Sequence, residues 1–111
     1  MAEKRYPIRK KRRLRVRFGK DEPTRFAFTG DASDEGMYII TAQPERPGTN
    51  VQIELNLPDG QQVIAVGLVC WAKKVPANLL RLANKAGMGV RLTEFISGED
   101  DYKDYLESLR H

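Results

Sequence analysis

Arg5, Arg9, Arg13 and Arg17 follow one another at intervals of four residues near the start of the chain. A guanidinium is planar, permanently charged and forked. It can pair bidentately with a phosphate or with the O6/N7 edge of guanine, and it can stack on a purine. Two such groups on one arm can close on a phosphorylated purine, although a solvated basic tail is the plain alternative. Some twenty residues later comes Asp31-Ala32-Ser33-Asp34-Glu35-Gly36. The Asp31 carboxylate can accept from the N1/N2 edge of guanine, the Ser33 hydroxyl can donate to phosphate or bond a base, and Gly36 allows a φ or a close approach that a Cβ would block. An ordinary Asx or ST turn uses the same residue types.

Elements must position these groups, and the hydrophobic pattern supplies them. Leu14, Val16 and Phe18 alternate with Arg15 and Arg17, as in a half-buried strand with its basic residues outward. Residues 19–23 read as a turn. Phe26 and Phe28 alternate with Ala27 and Thr29 in a second strand, and the pattern predicts that the two rings face the core. Residues 30–36 read as a loop, 37–41 as a third strand and 44–48 as a turn. Val51, Ile53, Leu55 and Leu57 give the cleanest strand alternation. Pro58-Asp59-Gly60 then reads as a hairpin turn. A long strand over 62–71 carries Gly67, which marks a bulge or bend, and its apolar character predicts buried Cys70 and Trp71. Residues 77–85 fit a short helix or an irregular loop, and 87–95 a last strand. Ser97 is placed to cap a helix over 98–110, with Glu99, Asp100 and Asp101 in its first turn. Tyr102, Tyr105, Leu106 and Leu109 form its apolar stripe, expected to pack on the β body. Six or seven short strands with frequent turn signals predict an all-β fold, a small antiparallel barrel with a C-terminal helix.

Composition narrows the chemistry. A chain of 111 residues suits one domain with one core. Residues 1–20 hold ten Lys/Arg against Glu3 alone, while the whole chain carries a net charge of only +4. A basic arm (residues 1–13) therefore sits on a mildly acidic body (residues 14–111), which is an electrostatic footprint for an anion. With one cysteine and one histidine, the latter the terminal His111, neither a zinc site nor Cys/His catalysis has its ligand set. No P-loop or dinucleotide fingerprint occurs, and Gly87-Met88-Gly89 is too short and precedes a strand. No catalytic residue, metal or cofactor is expected. The longest apolar run, residues 63–71, is too short to span a bilayer, and no apolar stretch follows the basic start as a secretory signal requires. A cytoplasmic location is expected from cysteine usage.

In order and spacing these residues resemble the PilZ family, whose marks are R-x-x-x-R in an N-terminal arm and [DN]-x-S-x-x-G between strands of a six-stranded barrel. Asp31 to Gly36 matches the second mark in full. Gly67-Leu68-Val69-Cys70-Trp71 and Gly87-Met88-Gly89-Val90-Arg91-Leu92 look like the family's long strand and last barrel strand. The resemblance implies a non-enzymatic bacterial receptor for cyclic di-GMP that orders its arm over the ligand and presents a new surface to a downstream protein, acting on motility, pili, exopolysaccharide (biofilm) or transcription. It implies ligand contacts from Arg5 and Arg9, with Arg13 as a further phosphate contact, and from Asp31, Ser33 and Gly36. Arg9 and Arg13 offer a second pair at the same spacing. The state expected is a monomer or a ligand-induced dimer.

Two other readings remain. A nucleic-acid-binding barrel would explain the basic arm, but it is disfavoured here because Phe26, Phe28 and Trp71 read as core, which leaves no stacking platform. A ligand-free adaptor would dock through the Tyr102 to Leu109 stripe.

Overall fold

The computed structural model describes residues 13–76, 78–79 and 86–109. Six strands, β1 (Arg15–Gly19), β2 (Arg25–Ala32), β3 (Gly36–Ile40), β4 (Asn50–Asn56), β5 (Gln62–Lys73) and β6 (Gly87–Ser97), precede one helix, α1 (Glu99–Ser108). The strands close into an antiparallel barrel in the order β1-β2-β3-β6-β5-β4, with β4 returning to β1. The predicted all-β barrel with a C-terminal helix is the fold observed. Arg5 and Arg9, and the segment 77–85 apart from Asn78 and Leu79, lie outside the described residues.

Alternation places one row of each strand inside. Val16 and Phe18 of β1, Ile39 of β3, Val51, Ile53 and Leu55 of β4, Val69 of β5 and Met88 of β6 are buried. The turn at Pro58-Asp59-Gly60 closes the β4–β5 hairpin, with Gly60 at positive φ and its N–H donating to the Leu57 carbonyl at 3.0 Å. Gly67 lies where the β5–β6 register slips, consistent with the expected bulge.

Three expectations fail for physical reasons. Phe26 and Phe28 are not core; they are 79% and 47% exposed, while Ala27 and Thr29 are buried. Directly opposed residues share a face, and β1 pairs Val16 with Ala27, Arg17 with Phe26 and Arg15 with Phe28. The register sends the aromatics outward. Thr29 is kept inside by a hydrogen bond, the Leu14 N–H donating to its Oγ1 at 3.0 Å, beside a backbone bond from Thr29 N–H to the Leu14 carbonyl at 2.9 Å.

Cys70 and Trp71 are also exposed, Trp71 by 50%. Val69 pairs with Val90 and Trp71 with Gly89, so Cys70 is an extra residue on β5. That bulge shifts the alternation and turns Trp71 out of phase with Val69. Ser97 does not cap the helix, because it still pairs with Ile64 as the end of β6. Gly98 is the N-cap instead, in the left-handed conformation at φ 85°, its carbonyl accepting from Tyr102 N–H at 2.9 Å. A Cβ there would also crowd the Gln62 carbonyl. Tyr102 and Leu106 are buried, with Tyr105 and Leu109 packed against the core, so the helix spends its apolar stripe on the barrel.

The register can be tested by stability. Thr29→Val keeps the shape but orphans the buried Leu14 N–H, and is expected to cost about 1–3 kcal/mol in urea unfolding. Phe26→Ser, on the outer wall, is expected to change stability by no more than about 0.5 kcal/mol. A reversed order would mean that the rings are core.

Candidate functional site

The Asp31 to Gly36 segment is less of a loop than its composition suggests. β2 runs through Ala32 and β3 begins at Gly36, leaving residues 33–35 as the connection. The Ser33 N–H donates to the Gly36 carbonyl at 2.8 Å, and the Ser33 hydroxyl lies at the longer distances of 3.3 Å from the Glu35 N–H and 3.4 Å from the Gly36 carbonyl. An ST turn is therefore formed, and its long side-chain bonds leave the hydroxyl weakly committed. Gly36 is not at positive φ. Its role is close approach: a Cβ there would collide with the Val90 carbonyl of β6.

The connection is held from two sides. The Leu92 N–H of β6 donates to the Glu35 carbonyl at 2.8 Å. From α1 the Tyr102 hydroxyl donates to the Ser33 carbonyl at 2.7 Å, a bond that joins residues 69 apart in sequence. Burial, with smaller contributions from Asp34 and Tyr105, pushes the Tyr102 phenol far above its ordinary range, so it stays a protonated donor.

Asp31, Ser33 and Gly36 line a groove of about 670 Å³ between the barrel wall and α1. Tyr38, Trp71 and Arg91 continue that wall, Leu14 lines it just before β1, and Tyr105, Leu106 and Leu109 lie on the helix side. The wall owes its shape to missing side chains at Gly30, Gly87 and Gly89. Gly89 pairs with Tyr38 on one side and with Trp71 on the other. With no Cβ at Gly89 the Trp71 ring lies over its backbone, Tyr38 lies likewise against Gly30 and Gly87, and the two rings stack, centroids 5.2 Å apart and planes 17° apart. Half of the Trp71 surface stays open to solvent. Arg91 stands exposed beside it.

The structure thus gathers three of the six sequence-predicted residues, Asp31, Ser33 and Gly36, on one groove. Arg13 is exposed and immediately precedes Leu14, so the arm's sequence meets the barrel at the groove's edge. Arg5 and Arg9 lie outside the described residues. Tyr38, Trp71, Arg91 and Tyr102 escaped the sequence reading. Gly87-Met88-Gly89 was the available signal, since glycines that open a wall invite neighbouring rings to lie down on it. Among the described residues no cluster of His, Cys, Asp or Glu is arranged to hold a metal ion, and no helix is long and apolar enough to cross a membrane.

Comparison with known proteins gives two findings. The family model for the PilZ domain matches residues 2–109. The solved structure of the Bacillus subtilis inhibitor of motility, MotI/DgrA, superposes with a TM-score of 0.67 at 15% sequence identity, covering 88% of this chain and 47% of that one. The present chain therefore spans about half the length of that neighbour. No curated protein matches.

Removing the Tyr102 hydroxyl isolates the tie between helix and connection. Tyr102→Phe keeps the ring, and is expected to cost about 1–2 kcal/mol of stability and to speed amide hydrogen exchange at residues 33–35 selectively. Uniform exchange changes across the barrel would deny the bond its local role.

Proposed function

The chain belongs to the PilZ domain family, and from that premise we propose that it is a non-enzymatic receptor for cyclic di-GMP, bound between its Asp31–Gly36 groove and the arginines of its N-terminal arm. One observation carries the reading. Asp31 and Ser33, whose groups can pair with guanine or phosphate, line a single groove with the half-exposed Trp71, and exposed Arg13 directly precedes Leu14 of that lining.

The roles follow from the chemistry of each group. The Asp31 carboxylate accepts from the N1 and N2 donors of guanine. Ser33, weakly held within its turn, exchanges its long bonds for one to ligand. Trp71, backed by Tyr38, offers a stacking face to a purine. Arg5 and Arg9 grip phosphate and guanine, with Arg13 and Arg91 as further phosphate contacts, each guanidinium fitting a phosphate bidentately. Gly36 contributes no contact of its own; it lets β3 press against β6 so that the connection reaches the groove. Proton transfer and covalent steps are not required, in keeping with a receptor.

Drawing the arm over the ligand changes the surface beside the groove, and that change is the signal a downstream protein reads. The structural likeness to the inhibitor of motility from Bacillus subtilis supports motility as the process. A cytoplasmic location and a monomer or ligand-induced dimer go with this reading.

Titration calorimetry with cyclic di-GMP tests it. The wild type is expected to bind, and Arg9→Ala and Asp31→Ala to weaken binding about tenfold or more, the scale of one charge-assisted bond. Lys20→Ala, in the turn after β1, is expected to stay within about twofold because an exposed charge contributes little. No heat from the wild type at tens of micromolar would sink the proposal, and equal losses from Arg9→Ala and Lys20→Ala would reduce it to unspecific charge attraction.

A further inference from the structure

The outer wall of β1 and β2 carries a surface that the groove does not use. Phe26 and Phe28 stand on it, 79% and 47% exposed, one strand repeat or about 7 Å apart. Their directly opposed neighbours are both arginines, Arg17 and Arg15. The Arg17 guanidinium carbon lies 5.9 Å from the Phe26 ring centroid and is tethered there by Glu54. Arg15 is exposed. Next to the rings a groove of about 720 Å³ is lined by Arg15, Arg25, Phe26, Phe28, Ile40 and other uncharged residues, with no acidic side chain; Arg25 itself is held by Glu45 at 2.8 Å.

We propose that this wall is a binding site for single-stranded nucleic acid, with one base on each phenylalanine and the phosphate between them on Arg15. Exposed rings interleaved with arginine on a sheet face provide the two components such binding needs, a stacking platform and a positive track. The ring spacing is about twice the roughly 3.4 Å between neighbouring bases in one strand of a duplex, so each ring takes a base from an extended strand. A duplex keeps its base faces buried and leaves the rings unused. A second copy of the chain is a poorer occupant, since a two-fold contact would set this arginine-bearing wall against itself. Residues 1–20, with ten Lys/Arg, lead into the same strand and supply the long-range attraction. The proposal does not rest on cyclic di-GMP binding.

The test is fluorescence anisotropy of a labelled 15-nucleotide oligothymidine with the full chain, repeated over a salt series. The double variant F26A/F28A, whose side chains lie outside the core, is expected to keep the wild-type unfolding midpoint. It is expected to lose about tenfold or more in affinity while its salt dependence stays that of the wild type, because the arginines remain. An unlabelled duplex of the same length is expected to compete less well than the single strand. Equal affinity of wild type and double variant would overturn the proposal by assigning all binding to charge, and would leave the wall to a protein partner. Equal competition by duplex, or no binding by the wild type at physiological salt, would overturn it as well. Self-association that F26A/F28A abolishes in sedimentation velocity, without oligonucleotide binding, would assign the wall to a second copy instead.

Discussion

Each strand of this barrel is hydrogen-bonded along both edges, so the face every side chain takes is fixed twice. Val16 opposes Ala27 on β2 and Leu55 on β4, and the three make one inward layer. A one-residue slip of β2 would carry Phe26 and Phe28 inward and gain about 1.5–3 kcal/mol for each ring buried. It would also break the paired bonds between Leu14 and Thr29 and force two large rings where Ala27 and Thr29 fill a narrow interior. Overpacking costs about 1–3 kcal/mol per site, and each orphaned buried backbone group about as much again. Closure wins, and the price is two aromatic rings left in solvent.

The same constraint shapes the groove. A closed barrel has no free edge on which to build a site, so its outer wall must be sculpted by local departures from regularity. The extra residue at Cys70 turns Trp71 outward, and the absent side chains at Gly89 and at Gly30 and Gly87 let Trp71 and Tyr38 respectively lie against the wall and stack. Gly36 performs a related service at the strand end, where β3 approaches the Val90 carbonyl. The C-terminal helix then closes the other side. Its buried Tyr102 packs against Phe95, ring centroids 5.7 Å apart, and its hydroxyl reaches the Ser33 carbonyl. One side chain thus belongs to both the core and the connection that lines the groove.

These features explain what could be read from the chain and what could not. Period-two alternation exposed β1 and β4 because their apolar residues hold one phase throughout, and the Pro58-Asp59-Gly60 turn was legible because its backbone needs those residue types. Alternation alone says only that a strand has two faces. In β2 both faces carry apolar atoms, and the inward one was decided by pairing with β1, a contact absent from local sequence. In β5 the bulge at Cys70 is an event of pairing with β6, so its phase change left no mark in β5 itself. Ser97 looked like a cap until strand pairing claimed it and Gly98, able to take positive φ, took the post. The Asp31, Ser33 and Gly36 cluster was legible because its residues are neighbours in sequence. Tyr38, Trp71, Arg91 and Tyr102 come from four other places in the chain, and only folding brings them to it.

The point where β1 begins links the two surfaces. Leu14 lines the groove beside Asp31 and Ser33, and the next residue, Arg15, lines the wall beside Phe28. Successive residues of a strand face opposite ways, so the chain passes from one surface to the other within a single peptide step. Under the proposed functions, the ten basic residues at positions 1–20 are one pool of charge serving both, and arginines neutralised by an anionic ligand are withdrawn from that pool. The wall then keeps Arg15 and its rings but loses most of its long-range attraction. Linkage makes the effect mutual: whatever one ligand costs the other in binding free energy is returned in equal measure. A second messenger acting this way needs no change in the barrel, because competition for one pool of charge couples two surfaces already built on either side of Leu14 and Arg15.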